Sequence, residues 1–125
     1  MQNSRKDIHS FHQLPVHVVC STKYRYEVLQ GDIQVRCKDL IRQTCHTPDI
    51  QLLKGVVSKD YIHVHVSYPT KLSVSDILKR LKGRSAKILL SEYSELKNHY
   101  WGGHIWEIGY GAWSTGNITD EMIQE

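Results

Sequence analysis

The chain has 125 residues, 40% of them hydrophobic and 23% charged, with only 3 Pro, which fits one folded domain and excludes a disordered tail over most of its length. Sixteen Lys and Arg against 13 Asp and Glu give +3 with the eight His neutral, an excess that permits a polyanionic partner without demanding one. The longest apolar runs, such as Val16 to Cys20 and Ile88 to Leu90, fall far short of the ~20 residues of a membrane-spanning helix. The polar N-terminus has no secretory-type apolar stretch, so a cytoplasmic chain is expected. Cys20, Cys37 and Cys45 are odd in number and widely spaced, unlike a disulfide framework or a zinc pair, and are expected to be small buried hydrophobes.

The first strand is expected at Pro15 to Ser21, a run rich in Val, followed by the polar Thr22-Lys23-Tyr24-Arg25. Gly31-Asp32 opens a helix in which Ile33, Cys37, Leu40, Ile41 and Cys45 recur at helical spacing, with Pro48 beyond its end. A second strand follows from Gln51 to Val57. After the turn Ser58-Lys59-Asp60, residues Tyr61 to Ser67 alternate with period two, Ile62, Val64 and Val66 on one face and Tyr61, His63 and His65 on the other. Pro69 closes that strand. Ser73 with Asp76 forms a capping-box pattern for a helix whose Ile77, Leu78, Leu81, Ile88 and Leu89 make the buried stripe. Trp101-Gly102-Gly103 leads into a last strand near His104 to Trp113, Ser114 to Asn117 turn, and Thr119-Asp120-Glu121 begins a helix. The order βαββαβ is that of an α+β, ferredoxin-like or RNA-recognition-like antiparallel sheet, with both helices on one face and the other face open to ligands. The whole of 1–125 reads as a single domain.

In that topology the first and third strands are central neighbours, which puts His63 and His65 in the middle of the open face. Two His at i and i+2 have Cα atoms about 6.5 to 7 Å apart on one side of a strand, so both rings can reach one metal ion. The same spacing also suits two half-exposed His on a wet face, and two ligands do not close a site. Between Lys79 and Lys87 five cations fall within nine positions, interrupted by Gly83. That run is either a solvated helix face or a phosphate surface, with Gly83 letting a backbone approach closely. Lys23-Tyr24-Arg25 adds cations around an aromatic ring, the mixture a single-stranded nucleic-acid groove uses. Trp101, Trp106, Trp113, Tyr100 and Tyr110 are expected in the core and at a subunit interface rather than as base-stacking platforms. No phosphate-binding loop, dinucleotide fingerprint or serine elbow is present.

Taken together, a His-bearing first strand ending in Lys23-Tyr24-Arg25, then Val57-Ser58-Lys59-Asp60-Tyr61-Ile62-His63-Val64-His65, Leu81-Lys82-Gly83-Arg84-Ser85, Tyr100-Trp101-Gly102, Gly109-Tyr110 and Ser114-Thr115-Gly116-Asn117 resemble the small single-tyrosine HUH transposases of insertion-sequence-200-type elements. The resemblance runs from about His17 to Glu125. It implies a homodimeric DNA strand transferase that acts on single-stranded DNA hairpins at element ends through a 5′-phosphotyrosine link, with Mg²⁺ or Mn²⁺ held by a His pair. Many members read Asp-His-x-His, so Tyr61 falls at their first metal His and His63 at their second, while His65 restores a pair two residues along. The metal residues expected on this basis are His63 and His65. Lys23, Arg25, Lys79, Lys82, Arg84 and Ser85 are expected to bind DNA.

The resemblance places the nucleophilic tyrosine directly after Ile123-Gln124-Glu125, so no catalytic residue is assigned within the 125 residues. On this reading the chain as written folds, dimerises and binds DNA without cleaving it. Two rivals are a non-catalytic single-stranded nucleic-acid-binding module on the same sheet and a small metal hydrolase of soluble phosphoesters.

Overall fold

The computed structural model describes residues 15–114. Strand β1 (Val16–Ser21) leads through a 3₁₀ turn (Lys23–Arg25) to helix α1 (Gly31–Thr44), then β2 (Gln51–Val57), β3 (Tyr61–Ser67), helix α2 (Val74–Glu92), a second 3₁₀ turn (Ser94–Asn98) and β4 (Gly111–Ser114). The four strands form one sheet in the order β2-β3-β1-β4, and each neighbouring pair is antiparallel. The α+β, ferredoxin-like expectation therefore holds, including the central pairing of the first and third strands. The expected turn after Ser114 and the helix from Thr119 lie outside the described residues.

Alternation along the strands decides which side faces the helices. Val18 and Cys20 of β1 and Ile62, Val64 and Val66 of β3 are buried with Ile33, Cys37, Leu40 and Ile41 of α1 and Ile77, Leu78, Leu81 and Leu89 of α2 in one core. The helical spacings read from the sequence are thus the packing stripes. α2 begins as anticipated: the Asp76 backbone N–H donates to the Ser73 hydroxyl at 3.1 Å, and the Ser73 N–H donates to the Asp76 carboxylate at 3.1 Å, satisfying two of the donors a helix start leaves over.

The last strand is shorter than expected, four residues instead of a span beginning near His104. Gly109 sits at φ +89°, a conformation outside the strand region. The segment before it is held by other means. Trp106 bridges to Thr22, the Lys23 N–H donates to the Ile105 carbonyl at 2.8 Å and the Glu107 N–H to the Ser21 carbonyl at 2.9 Å.

Gly83 lies inside α2, and a Cβ placed there meets nothing within 4 Å. Helical Gly costs roughly 0.5–1 kcal/mol against Ala, so Gly83→Ala is expected to raise unfolding stability by about that amount in urea titrations. Should a phosphate pass over this bare turn, the same variant lowers DNA affinity while raising stability.

Candidate nucleic-acid and metal face

The face of the sheet turned away from the helices carries a row of rings. β1 and β3 pair His17 with His65 and Val19 with His63, β1 and β4 pair His17 with Trp113, and β2 and β3 pair Lys54 with His65 after a register shift at Leu53. Directly opposed residues share a face, so Trp113, His17, His65 and Lys54 cross all four strands as one line. His17 stacks on His65 with centroids 3.9 Å apart and planes 10° from parallel, and lies 5.9 Å from Trp113. His17 Nδ1 meets His63 Nε2 at 2.9 Å, one of the two nitrogens carrying the shared proton.

His63 and His65 therefore occupy the central position expected of them, but the face is not open there. His17 is 0% exposed and His63 5% exposed, because the rings cover one another. His17 was missed by motif reading. Its alternation with Val18 places it opposite the core, and only the strand register reveals that it meets the other two histidines.

The donor chemistry is imidazole with no carboxylate, which suits first-row transition ions better than Mg²⁺. Among the described residues no group of three or more His, Cys, Asp or Glu is placed to hold a metal ion.

The expected DNA-binding residues separate into groups. Lys79 and Arg84 are on the exposed side of α2, on the opposite face of the sheet from the histidines. The Arg84 guanidinium donates to the Gln43 amide oxygen of α1 at 3.0 Å. Lys82 turns the other way, its ammonium donating to the carbonyls of Glu107 at 2.9 Å and Gly109 at 2.6 Å. Ser85 departs from its expected role. It is 2% exposed, its hydroxyl donates to the Leu81 carbonyl at 2.7 Å and accepts from the Trp106 indole N–H at 2.9 Å, so it joins helix to core and is not presented to a phosphate.

Lys23 and Arg25 end β1 in a strained turn. Tyr24 and Arg25 both have positive φ, 63° and 56°, conformations that cost a non-glycine residue about 1 kcal/mol or more and persist only when neighbours impose them. Glu107 accepts the Tyr24 N–H at 2.9 Å and Asp60 pairs with Arg25 at 2.8 Å. Tyr24 is left 60% exposed, in ring contact with Tyr26. Of the aromatic residues expected in the core and at a subunit interface, Trp106 and Tyr100 are buried and Trp101 is 83% exposed. Trp101 lines a cavity of about 660 Å³ with Lys87, Lys97 and Tyr100.

The three thiols are buried, as expected. Burial pushes Cys20 and Cys45 up to about 11 and Cys37 to about 12, so all stay protonated near neutrality and are poor nucleophiles. Ellman's reagent is expected to modify none of them in the native protein and all three in urea. A raised thiol pKa holds its proton more tightly in the folded state. Its stabilising contribution is complete below the ordinary thiol value of 9.0 and is lost as pH climbs toward 11, so melting temperature should fall across that alkaline window.

The class of protein follows from the fold, an α+β, ferredoxin-like antiparallel sheet with both helices on one face and a histidine row on the other. Over residues 10–125 the sequence matches the family "Transposase IS200 like", and the chain belongs to that family. It is 30% identical over 114 residues to the ISDra2 transposase TnpA of Deinococcus radiodurans, covering 91% of this chain and 81% of the relative. It is 28% identical over 106 residues to the transposase for insertion sequence element IS200 of Salmonella typhimurium, covering 85% of this chain and 70% of the relative. A crystal structure of a candidate transposase from Deinococcus radiodurans superposes with a TM-score of 0.78 at 31% identity, covering 89% of this chain and 85% of that one. The fold is also that of a REP-associated tyrosine transposase bound to a REP hairpin, at a TM-score of 0.54 and 13% identity, covering 89% of this chain and 61% of that one. Among the described residues no helix is long and apolar enough to cross a membrane.

Proposed function

We propose that this chain is the metal- and DNA-binding domain of a transposase that engages hairpin-bearing single-stranded DNA at element ends and exchanges strands through a 5′-phosphotyrosine intermediate. The observation that carries the reading is the meeting of His63 with His17 beside His65 on the sheet face away from the helices, in a chain of the IS200-like family.

The expected metal residues His63 and His65 are rigidly placed, because both sit on a central strand hydrogen-bonded on each side. A bound Mn²⁺ or Mg²⁺ would polarise the scissile phosphate and orient it for in-line attack. Lys54, opposite His65, puts a cation on the same face for a neighbouring phosphate. In the reaction a tyrosine hydroxyl, which the family resemblance places after Glu125, bonds to phosphorus as the bond to the 3′ oxygen breaks, leaving a free 3′-OH. The strained turn at Tyr24 and Arg25 holds Lys23 and an exposed ring at the end of β1, where backbone contacts and base stacking suit a single strand. Lys79 and Arg84 lie behind the sheet, so DNA touching them and the histidine face must pass around the sheet edge. A homodimer belongs to the same reading: β4 is an edge strand of four residues, flanked by the exposed Ile108 and Tyr110.

The absence of a three-ligand group among the described residues favours a second reading, a nucleic-acid-binding module that works without metal. Replacing His63 and His65 together by Ala separates the two. The transposase reading expects hairpin binding to persist while Mn²⁺ uptake is lost; unchanged Mn²⁺ affinity supports the module.

A further inference from the structure

We propose that the cavity beside Trp101 holds one unpaired nucleotide of the strand flanking a hairpin stem, its base stacked on the Trp101 indole and its phosphates met by Lys87 and Lys97. The inference rests on the hairpin-DNA reading above and deepens it by naming the residues that grip an unpaired base.

The lining fits that ligand in size and chemistry. The cavity, about 660 Å³, lies between the last turns of α2 and the segment that carries Lys97, Tyr100 and Trp101, within the roughly 300–1,000 Å³ of ordinary small-ligand sites. Tryptophan is usually well buried, yet Trp101 is 83% exposed. Among the described residues no ring packs on it, although its neighbour Tyr100 lies 5.7 Å from Tyr26. The two ammonium groups are equally unspent. Lys87 and Lys97 have no ion pair among the described residues, and no carboxylate lines the cavity. Of the nearest acids, Glu92 accepts from Arg36 at 2.8 Å and Glu95 lines a different cavity beside Tyr26. The carbonyl end of α2 carries about half a negative charge, which two ammonium groups outweigh. Gly102 and Gly103, at φ +86° and +82°, leave the rim bare, since a Cβ on either would meet nothing within 4 Å, so a sugar-phosphate backbone can come close.

An unpaired base suits this site better than a duplex does. Inside a duplex the neighbouring pairs cover both faces of each base, whereas an unpaired base offers a face to the indole. The cavity is also continuous with the turn at the end of β1. The Tyr100 hydroxyl donates to the Lys23 carbonyl at 3.0 Å, and Tyr24, Tyr26 and Tyr100 form a chain of rings with centroids 5.4 and 5.7 Å apart. One strand can therefore pass from Tyr24 to Trp101 with cations at both ends. A second copy of this chain is the weaker occupant, because an interface here would bury two ammonium groups without a carboxylate from this side, and lysine is depleted at interface cores.

The test measures binding of the full 125-residue chain to two hairpins by fluorescence anisotropy, one with an unpaired thymidine flank and one whose flank carries abasic sites. Trp101→Ala is expected to weaken binding of the base-bearing hairpin by about 5- to 150-fold, the range that stacking one base on an aromatic ring supplies, and binding of the abasic one by less than about twofold. Trp101→Phe, which keeps a ring, should recover most of the loss. Replacing Lys87 and Lys97 together by Ala should lower the slope of log affinity against log salt by about 1.4 for both hairpins, since each single-strand phosphate contributes about 0.7. Circular dichroism checks folding, and sedimentation velocity reads the oligomeric state of each variant. Equal loss of both hairpins, no loss of either, or an unchanged salt slope overturns the proposal while leaving the hairpin reading standing. A folded Trp101→Ala that dissociates into smaller species assigns the cavity to contact between two copies and likewise overturns it. A wild-type chain that binds neither hairpin overturns the hairpin reading, and this proposal with it.

Discussion

Raising salt from 50 to 200 mM is expected to weaken hairpin binding by roughly 50- to 150-fold. The figure follows from counterion release: each phosphate neutralised contributes about 0.7 to 0.9 to the slope of log affinity against log salt, and Lys23, Arg25, Lys79 and Arg84 are taken as four such contacts. The four differ in what already holds them. Arg25 is paired with Asp60 and Arg84 is hydrogen-bonded to Gln43, whereas Lys79 is exposed. Replacing Lys79 and Arg84 together by Ala should lower the slope by about 1.4 to 1.8 and weaken binding to every DNA sequence alike, since phosphate contacts carry no base information. Fluorescence anisotropy over a salt series reads both quantities. A slope near zero would remove these cations from the interface, as a hydrolase of small phosphoesters would require.

The second large effect is on the scaffold. Leu89 is 0% exposed in the core between α2 and the sheet, and truncating such a leucine leaves a cavity that costs about 2–5 kcal/mol. Against the usual stability of a single domain, about 5–15 kcal/mol, Leu89→Ala should move the urea midpoint far down with little change in slope. Val35→Ala is the control. Val35 is 66% exposed on α1, and its truncation should stay within about 0.5 kcal/mol. The histidine row lies on the far side of the sheet from Leu89, so metal affinity measured below the unfolding transition should be nearly unaffected.

Local patterns made much of this fold legible. The period-two run Tyr61 to Ser67, the helical stripe through Ile33, Cys37, Leu40 and Ile41, and the Ser73 and Asp76 box are short-range signals, and each appears in the structure as read. What escaped depends on contacts far apart in the chain. β4 looked longer because Ile105, Trp106, Ile108 and Tyr110 fall close together ahead of it, yet that segment is fixed by the Thr22 bridge and by Lys82 bonded to two of its carbonyls. Ser85 sits in a basic run and reads as exposed, but a tryptophan 21 residues away claims its hydroxyl. The five cations of α2 looked like one surface, and the helix turns Lys82 and Arg84 to opposite sides. His17 is the most instructive case. Nothing in its own neighbourhood marks it, and its meeting with His63 across 46 residues is a consequence of strand register, which hydrophobic alternation fixes only to within slips of two residues.

The central claim is that this chain recognises hairpin-bearing single strands. Anisotropy at fixed moderate salt, with a labelled hairpin strand from the DNA flanking its own gene and two competitors of equal length, one an unstructured strand and one a perfect duplex, tests it most directly. The account predicts that unlabelled hairpin displaces the probe at concentrations at least tenfold lower than either competitor. Displacement by plain duplex at the same concentration as hairpin, or no binding of the probe at all, would contradict it.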